Sequence, residues 1–524
     1  MNNKNRYFTN VISGSISLAV SMVIVKVIGF IFKMPLSYFI GDEGMGYFNC
    51  AYTAYAFFYV ICTAGVPKAI TLIISEKQAK NREDQIPSIL AIAEGLFLKI
   101  GVALTVILIM FSPVLARLIG SSKSYITMIA IAPSIIFAAL SGVLKGLLTA
   151  QMRLIYVSIS QVIEGVFKLV FGILLAGIGV KYNLPLYTVS ALSVIGISLG
   201  TFVCYLYLLK HTKTINKEQK TRQMLLGPRC DVYKQIFAIS FPITISATLT
   251  SIGSMIDLIL VMRCLGQLGY KESEVTAFYG NYTTIALSLF NFTISIITPI
   301  SIAFMPLLRE AFVKNEKSRF LLLEKSGFEM TAFVCAPIMF VLMFFSKELL
   351  VIAFPNADQN LGSILLCLTA PAIFFSSLLI VLNTSLESCG HIKAPLFSML
   401  IGIFAKFIVN LILVSNPNYG ICGAPIGTVC FYAVALASSL IFYGKNVDKK
   451  GLLLWMYTKP YFKAGLATVV SRMFYDTIFS SYNNLLSLFL AFITLGLIYI
   501  ILSILSINTA TKRIKELAYY TNFS

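Results

Sequence analysis

The apolar residues of this chain come in runs as long as a bilayer is thick. About fourteen stretches of the sequence are each long and apolar enough to cross a hydrocarbon core of about 30 Å. The mean hydropathy is +0.85 and only 12% of the residues are charged, about half the share of a typical soluble domain. Because a helix satisfies its own backbone hydrogen bonds in lipid, the sequence predicts an all-α polytopic membrane protein.

The predicted spans form three groups along the chain. Residues 1–209 hold six spans, residues 235–444 hold six more, and residues 445–524 hold a final pair and a C-terminal tail. A basic stretch, 210–234, links the first two groups. The spans are predicted at 10–40, 46–75, 88–119, 125–150, 154–180 and 186–209, then at 235–265, 276–308, 326–346, 362–388, 392–415 and 420–444, and finally at 460–480 and 484–507.

The two groups of six spans repeat each other in sequence. A shift of 238 residues aligns 133–175 with 371–413 without a gap and places Lys168 on Lys406. A second shift, of 232 residues, matches earlier spans of the two groups in the same order. Similar composition alone is an alternative explanation for one such match. It explains two matches in the same order less well than a duplication does. Because each copy has an even number of spans, we expect two lobes in parallel orientation, with a substrate site at their interface.

The basic residues indicate the orientation of the chain. The formal net charge is +19, from 41 Lys and Arg against 22 Asp and Glu. With the N-terminus placed in the cytoplasm, 27 of the basic residues fall in internal loops or termini and six fall on or near the outer side. This asymmetry predicts a cell membrane protein with both termini cytoplasmic. The excess charge then faces anionic lipid headgroups, and no nucleic-acid partner is predicted.

Metal chemistry and cofactor binding receive no support from the sequence. The ten cysteines are scattered, no C-x-x-C pair occurs, and there are only two histidines. Zinc and iron–sulfur sites need clustered ligands of these types. We therefore predict no metal and no resident cofactor.

The charged residues inside the spans lean towards positive charge. Eight basic residues lie there, against six acidic ones. The basic residues are Lys26, Lys33, Lys68, Lys99, Lys145, Lys168, Lys406 and Arg472, and the acidic ones are Glu94, Glu164, Asp257, Glu329, Glu387 and Asp476. Charges in lipid usually face a bundle interior or a water-filled cavity. The excess of cations favours an anionic cargo.

A structural role is an open alternative for several of these charges. Glu164 and Lys168 are four residues apart, as are Arg472 and Asp476, so each pair can form on one helix face. Side chains near span ends, such as Lys33, can extend to the interface. The deeper charges, Lys26, Asp257 and Lys406, have no oppositely charged neighbour at that spacing in their own span. For them a cavity role and a structural role both remain open.

The first eighty residues resemble a known family. The motifs are Lys26-Val27-Ile28-Gly29-Phe30, IGDEGMGY at 40–47 and TAGVPKAI at 63–70. They are similar to the opening of Firmicute polysaccharide-biosynthesis flippases, in particular the stage V sporulation protein B group and the MurJ-type lipid II flippases. Both groups belong to the MATE-like (MOP) exporter superfamily. The span count, the two lobes and the additional terminal pair extend the resemblance over the full length.

The resemblance implies a cargo and a first set of site residues. It implies a flippase that moves an undecaprenyl-diphosphate-linked sugar precursor, such as lipid II for the cell wall or the spore cortex, by alternating access. A basic residue before the Gly-Phe of the first helix is thought to meet the diphosphate, and Lys26 matches it. Lys33 and Lys68 are further candidates, and the repeat adds Lys168 and Lys406. Of these two, Lys406 is preferred, because Glu164 lies one turn before Lys168.

The resemblance also implies a site for ion coupling. Some family members bind sodium through a carboxylate in the seventh span and polar groups in the eleventh, which corresponds here to Asp257 and Asn410. Lys406 lies one turn before Asn410, and as a built-in cation it can replace the ion by pairing with Asp257. Coupling to Na⁺ or to H⁺ is therefore left open.

Three other functions are alternatives. A multidrug cation exporter of the MATE type is expected to have an acidic cavity. A membrane glycosyltransferase or polymerase is disfavoured, because there is no aspartate-rich motif and no long soluble loop, and we predict that the chain is not an enzyme. A scaffold in spore-envelope assembly would not require buried cations. The predicted partners are a polyprenyl-diphosphate-linked glycan, membrane lipids and proteins of cell-wall or spore-envelope synthesis.

Overall fold

The computed structural model of the chain describes residues 2–80, 82–219, 229–391, 393–446, 455–478 and 484–521. Within these ranges the regular structure is entirely helical, as predicted. The chain divides into two compact units, Met1–Gly280 and Asn281–Ser524. Twelve of the described helical stretches are long and apolar enough to cross a membrane.

The helices of the first unit are α1 (Asn2–Thr63), α2 (Val66–Ala79), α3 (Ile86–Ile119), α4 (Ser124–Ile131), α5 (Ser134–Ala150), α6 (Leu154–Lys181), α7 (Leu186–Gln219), α8 (Arg229–Gln267) and α9 (Glu272–Asn281), the last ending just past its border. α1 bends at Gly41, where φ is 61° and ψ is −171°. A side chain there would be strained, so glycine is required at the bend. The bend lies between the first two predicted spans.

The second unit begins with a π-helical turn, Tyr282–Ala286. Its α-helices are α10 (Leu287–Val313), α11 (Lys317–Phe344), α12 (Ser346–Ala353), α13 (Gln359–Thr369), α14 (Pro371–Ser388), α15 (Lys393–Val414), α16 (Gly423–Asn446), α17 (Trp455–Thr477) and α18 (Asn484–Thr521). Prolines interrupt the hydrogen-bond ladder inside α10 and α11 at Pro299, Pro306 and Pro337. Each removes a backbone donor and permits a local bend.

The predicted number of about fourteen spans is not confirmed. The first of the twelve stretches, Val20–Gln78, is 59 residues long and contains the bend at Gly41. At 1.5 Å per residue, about twenty residues suffice for one crossing, so this stretch has the length of two predicted spans. α17 corresponds to the thirteenth predicted span but is not among the twelve stretches.

The predicted basic linker, 210–234, is only partly described. α7 continues to Gln219, so the first ten residues of that stretch extend the helix. Residues 220–228 lie outside the described ranges, and α8 begins at Arg229. Helical continuation here agrees with the good helix propensity of the Lys, Gln and Glu residues in this segment.

The α8–α9 corner packs against the turn between α3 and α4. The guanidinium of Arg263 donates to the carbonyl oxygens of Leu118 (2.8 Å) and Arg117 (3.0 Å) at the end of α3. The hydroxyl of Ser122 donates to the carboxylate of Glu272 at 2.7 Å. These contacts hold α8 and α9 within the first unit, although the sequence repeat groups them with later spans. The lobe boundaries inferred from the repeat therefore stay a prediction.

Candidate substrate site in the first unit

Three of the predicted lysines lie near one another in the first unit. Lys26 and Lys33 are seven residues apart on α1, which places them on the same helix face two turns apart. Lys168 lies on α6, and the charges of Lys168 and Lys26 both act on Lys33. Lys26 is exposed, and the other two are half-buried. The structure thus brings together Lys26, Lys33 and Lys168, named below the lysine cluster.

Two aromatic rings flank the ammonium group of Lys168. Its Nζ lies 5.5 Å from the ring centre of Phe32 and 5.1 Å from that of Tyr52. Both distances are within the range in which a cation is attracted to the face of a ring. Phe32 is buried, whereas 39% of Tyr52 is exposed. The two rings thus flank the Lys168 side chain, and Tyr52 remains partly exposed.

Glycines on α6 allow this arrangement. A side chain at Gly172 would meet the ring of Phe32, whose Cε2 would be 2.7 Å from the added Cβ. A side chain at Gly165 would touch Ile28 at 3.5 Å. Because α6 has no side chains at Gly165 and Gly172, it packs directly on α1. Lys168 lies between these two glycines on α6 and reaches the rings of Phe32 and Tyr52.

A ladder of aromatic residues extends from this point along the second half of α1. The ring centres of Phe48 and Tyr52 are 5.9 Å apart, those of Tyr52 and Tyr55 are 5.9 Å apart, and those of Tyr55 and Tyr59 are 5.4 Å apart. Sequence reasoning missed these residues. Their spacing of four, three and four residues is the signal that would have found them, since it places all four on one face of a helix.

The predicted pairing of Glu164 with Lys168 is wrong. The carboxylate of Glu164 lies 3.5 Å from the Nζ of Lys145 on α5, and both side chains are largely buried. The pair within one helix was predicted from the four-residue spacing alone, whereas the packing of α5 against α6 supplies a different cation. The preference for Lys406 over Lys168, which rested on a pair between Glu164 and Lys168, therefore loses that support.

The chemical capability of the lysine cluster follows from its charge. Three ammonium groups repel one another, and a bound anion with more than one negative charge would offset that repulsion. Ammonium donors form charge-assisted hydrogen bonds to phosphate oxygens. The partly exposed Tyr52 adds an aromatic side chain beside the cations. The arrangement suits a phosphate-bearing ligand that also carries an apolar or sugar surface.

Comparison with known proteins shows the family of the chain. The family model described as polysaccharide biosynthesis protein matches residues 11–312, which is more than half of the chain. This chain belongs to the polysaccharide biosynthesis protein family. A second model, MatE, matches residues 242–412. The predicted membership of the MATE-like (MOP) superfamily is confirmed.

Three relatives of this polysaccharide biosynthesis protein cover most of its length. Stage V sporulation protein B of Bacillus subtilis is 22% identical over 424 residues, 80% of each chain. The lipid II flippase MurJ of Bacillus subtilis is 19% identical over 463 residues, 84% of this chain and 83% of the relative. A solved structure of the lipid II flippase MurJ in an inward closed conformation matches 95% of this chain and 99% of that chain, with a TM-score of 0.72 and 15% identity. The family and the fold are those of membrane transporters and flippases, not of enzymes.

The remaining predicted site residues of this family member lie on other helices. Lys68 is exposed on α2. Asp257 is half-buried on α8 in the first unit, whereas Lys406 and Asn410 lie on α15 in the second. The side chain of Asn410 is fully buried and fills the space beside Gly427 on α16. The roles predicted for these residues stay predictions.

One predicted ion pair of the final spans is confirmed. Arg472 and Asp476 on α17 are 3.1 Å apart. Arg472 also contacts the carboxylate of Glu348 on α12 at 2.6 Å, which no spacing in the sequence indicates. Its guanidinium lies 5.4 Å from the ring centre of Phe345. Arg472 therefore has a structural role, as the four-residue spacing indicated.

Proposed function

We propose that this protein moves an undecaprenyl-diphosphate-linked sugar precursor, such as lipid II, from the inner to the outer leaflet of the cell membrane by alternating access. The observation that carries the proposal is the lysine cluster with its flanking rings. The names of two relatives, a lipid II flippase and a sporulation protein, support a cargo of this kind. Peptidoglycan synthesis in growing cells and in the spore cortex would both use such a precursor.

The chemistry of the cargo fits the cluster. A diphosphate carries about two negative charges, and these are stabilised by cations more strongly in a poorly solvated cavity than in water. We assign Lys26, Lys33 and Lys168 to the diphosphate, and Lys68 and Lys406 are further candidates for substrate binding. The prenyl chain can remain in the lipid, where it loses no hydrophobic stabilisation.

Ion coupling and orientation are part of the same proposal. We assign the coupling role to Asp257 and Asn410, with Na⁺ or H⁺ as the ion. Both termini would lie in the cytoplasm, as the distribution of basic residues indicates. The cytoplasmic face would then receive the precursor from the enzymes of cell-wall or spore-envelope synthesis.

The direct test is the accessibility of the precursor. In a flippase-deficient strain, expression of the wild-type chain should make lipid II reachable by a probe confined to the outer leaflet. Lys26→Ala and Lys406→Ala should each abolish this gain while the protein still inserts in the membrane. Lys181→Gln, at the exposed end of α6, is the matched control and should behave as wild type. Full activity of the Lys26 variant would refute the role of the cluster.

A multidrug exporter of the MATE type is the second candidate. The observation that favours it is the match of the MatE model to residues 242–412. The positive charge of the lysine cluster argues against a cationic cargo, since like charges repel. Efflux of a cationic dye by the wild-type chain, with unchanged lipid II accessibility, would favour this candidate over the flippase.

A further inference from the structure

A small internal cavity lies among three helices of the second unit. It has a volume of about 10 Å³, close to the minimum that holds a single water-sized particle. α10, α11 and α14 supply its walls. The lining residues are Ile300, Ser301, Phe304, Leu308, Leu323, Glu324, Gly327, Thr331, Val381 and Thr384.

Residues with side-chain oxygen atoms line this cavity from all three helices. Glu324 on α11 is only 1% exposed, and the hydroxyl of Tyr443 donates to its Oε2 at 2.7 Å. Ser301 and Thr331 are 5% and 1% exposed. Their hydroxyl oxygens are buried and have no hydrogen-bond partner within the described part of the chain. Two orphaned hydroxyls beside a buried carboxylate indicate a ligand, because buried polar groups are almost always satisfied.

The hydroxyl of Thr384 completes the set of oxygens. Its hydrogen is donated to the carbonyl oxygen of Ile380 at 2.9 Å, which leaves the oxygen of this cavity-lining residue able to accept. One carboxylate oxygen and three hydroxyl oxygens are hard ligands, of the type that binds alkali and alkaline-earth cations. The other lining residues are apolar or glycine, so the cavity offers few other polar atoms to a bound particle.

We propose that this cavity binds one Na⁺ ion, held by the carboxylate of Glu324 and the hydroxyl oxygens of Ser301, Thr331 and Thr384. A single carboxylate balances a single positive charge. Mg²⁺ usually retains several of its water ligands, and the volume leaves no room for them.

This site differs from the one assigned to ion coupling. None of its residues is Asp257 or Asn410, and its ligands come from α10, α11 and α14. It also lies in the other unit from the lysine cluster. The proposal goes beyond the proposed function, since binding of Na⁺ here requires no lipid-linked cargo and can be measured without one.

A neighbouring cation supplies the main alternative. Arg309 on α10 donates to the carbonyl oxygen of Ser388 at 2.9 Å. Its charge and that of Glu324 both act on the thiol of Cys389. If Arg309 balances Glu324 by itself, the cavity holds water and Na⁺ has no specific effect on the protein.

Thermal unfolding of the purified full-length chain in detergent tests the proposal. NaCl is titrated against choline chloride at constant ionic strength, without any lipid-linked cargo. We expect a saturable rise of the melting temperature of the wild-type chain, because a ligand that binds only the folded state stabilises it. Thr331→Val and Ser301→Ala should each raise the half-saturating Na⁺ concentration at least tenfold, and Glu324→Gln should abolish the response.

The controls separate this site from others. Ser326→Ala alters a hydroxyl on α11 that donates to the carbonyl oxygen of Leu322 and does not line the cavity, so it should respond as wild type. Asp257→Asn should retain a Na⁺ response that depends on Thr331. If Glu324→Gln does not fold, the two hydroxyl variants decide the question. Equal melting of the wild type in both salts, or hydroxyl variants that respond like Ser326→Ala, would overturn the proposal.

Discussion

Replacing Lys168 by glutamine should weaken the binding of a lipid diphosphate with little effect on folding. The change removes one of the three positive charges of the cluster and keeps a polar, slightly shorter side chain. Lys168 is half-buried between Phe32 and Tyr52, so its ammonium group is held in place before the ligand arrives. A group that is positioned in advance loses little entropy on binding, and most of its interaction energy appears as affinity.

The magnitude follows from the interaction that is lost. A hydrogen bond to a charged partner contributes about 1.5–3 kcal/mol. A loss of about 1.4 kcal/mol in binding free energy raises the dissociation constant tenfold. The dissociation constant of Lys168→Gln should therefore rise about 10- to 150-fold. Coulomb's law with an effective dielectric constant of about 20 gives about 4 kcal/mol at 4 Å, which is an upper limit because the cluster is partly solvated.

The effect on stability should be small because two contributions oppose each other. Glutamine loses the attraction to the two rings, which amounts to about 0.5–1 kcal/mol for each ring at a partly exposed site. It also removes the repulsion between Lys168 and Lys33. The melting temperature should therefore stay close to that of the wild type.

The assay is equilibrium binding of radiolabelled undecaprenyl diphosphate to the purified protein in detergent. Lys168→Gln is compared with Lys168→Arg, which keeps the charge, and with Lys181→Gln, which removes an exposed charge at the end of the same helix. Only the first should lose affinity by tenfold or more. Equal losses in all three variants, or none in Lys168→Gln, would refute the reasoning.

A further variant separates the two views of Glu164. Because its carboxylate contacts Lys145, Glu164→Gln should lower the melting temperature and change the diphosphate affinity less than about threefold. If Glu164 instead neutralised Lys168, the same variant would bind the anion about ten times more tightly. The two readings thus predict different binding constants for one protein.

Two further predictions concern the packing of the second unit, and both are read out as melting temperature in detergent. Gly427→Ala should destabilise the protein by about 1–3 kcal/mol, because its Cβ would collide with Asn410, whereas Gly444→Ala, with open space around it, should have little effect. Arg472→Gln and Glu348→Gln should each destabilise it, and a double-mutant cycle should give a coupling of about 1 kcal/mol, since the 2.6 Å contact is partly exposed. A coupling near zero would show that the contact contributes nothing to stability.

Features that depend on local sequence were predictable. Each predicted span rests on the hydropathy of about twenty neighbouring residues, and twelve described stretches have the length and hydropathy of a membrane span, although the count of fourteen is not confirmed. The pair of Arg472 and Asp476 was found for the same reason, since the two residues share one helix face. The helical extension of α7 into the predicted linker was missed. The polar, basic composition of this segment is typical of a loop, whereas its Lys, Gln and Glu residues favour a helix.

Contacts between helices were not predictable from the sequence. Phe32 and Tyr52 meet Lys168 only because α6 lies against α1, and that approach depends on the absence of a side chain at Gly172. The partner of Glu164 likewise comes from α5, and nothing in the spacing of Lys145 and Glu164 along the chain indicates it. A four-residue spacing predicts which residues can meet on one helix, but packing decides which of them do.

The repeat explains why the two equivalent lysines have diverged. Position 164 in the first copy corresponds to Gly402 in the second. In both copies the following helix approaches this point closely: a side chain at Gly200 would meet the carbonyl oxygen of Glu164 at 2.7 Å, and one at Gly402 would meet that of Phe431 at 2.8 Å.

In the first copy the glycine that allows α6 and α7 to pack closely is Gly200 on α7. In the second copy the glycine that allows α15 and α16 to pack closely is Gly402 on α15. With the glycine on α7, position 164 is free to carry a carboxylate, which binds Lys145 and leaves Lys168 to the aromatic rings. In the second copy no side chain is possible at 402, so the surroundings of Lys406 developed under a different constraint. With the two rings beside it, Lys168 suits the anionic ligand of the proposed function.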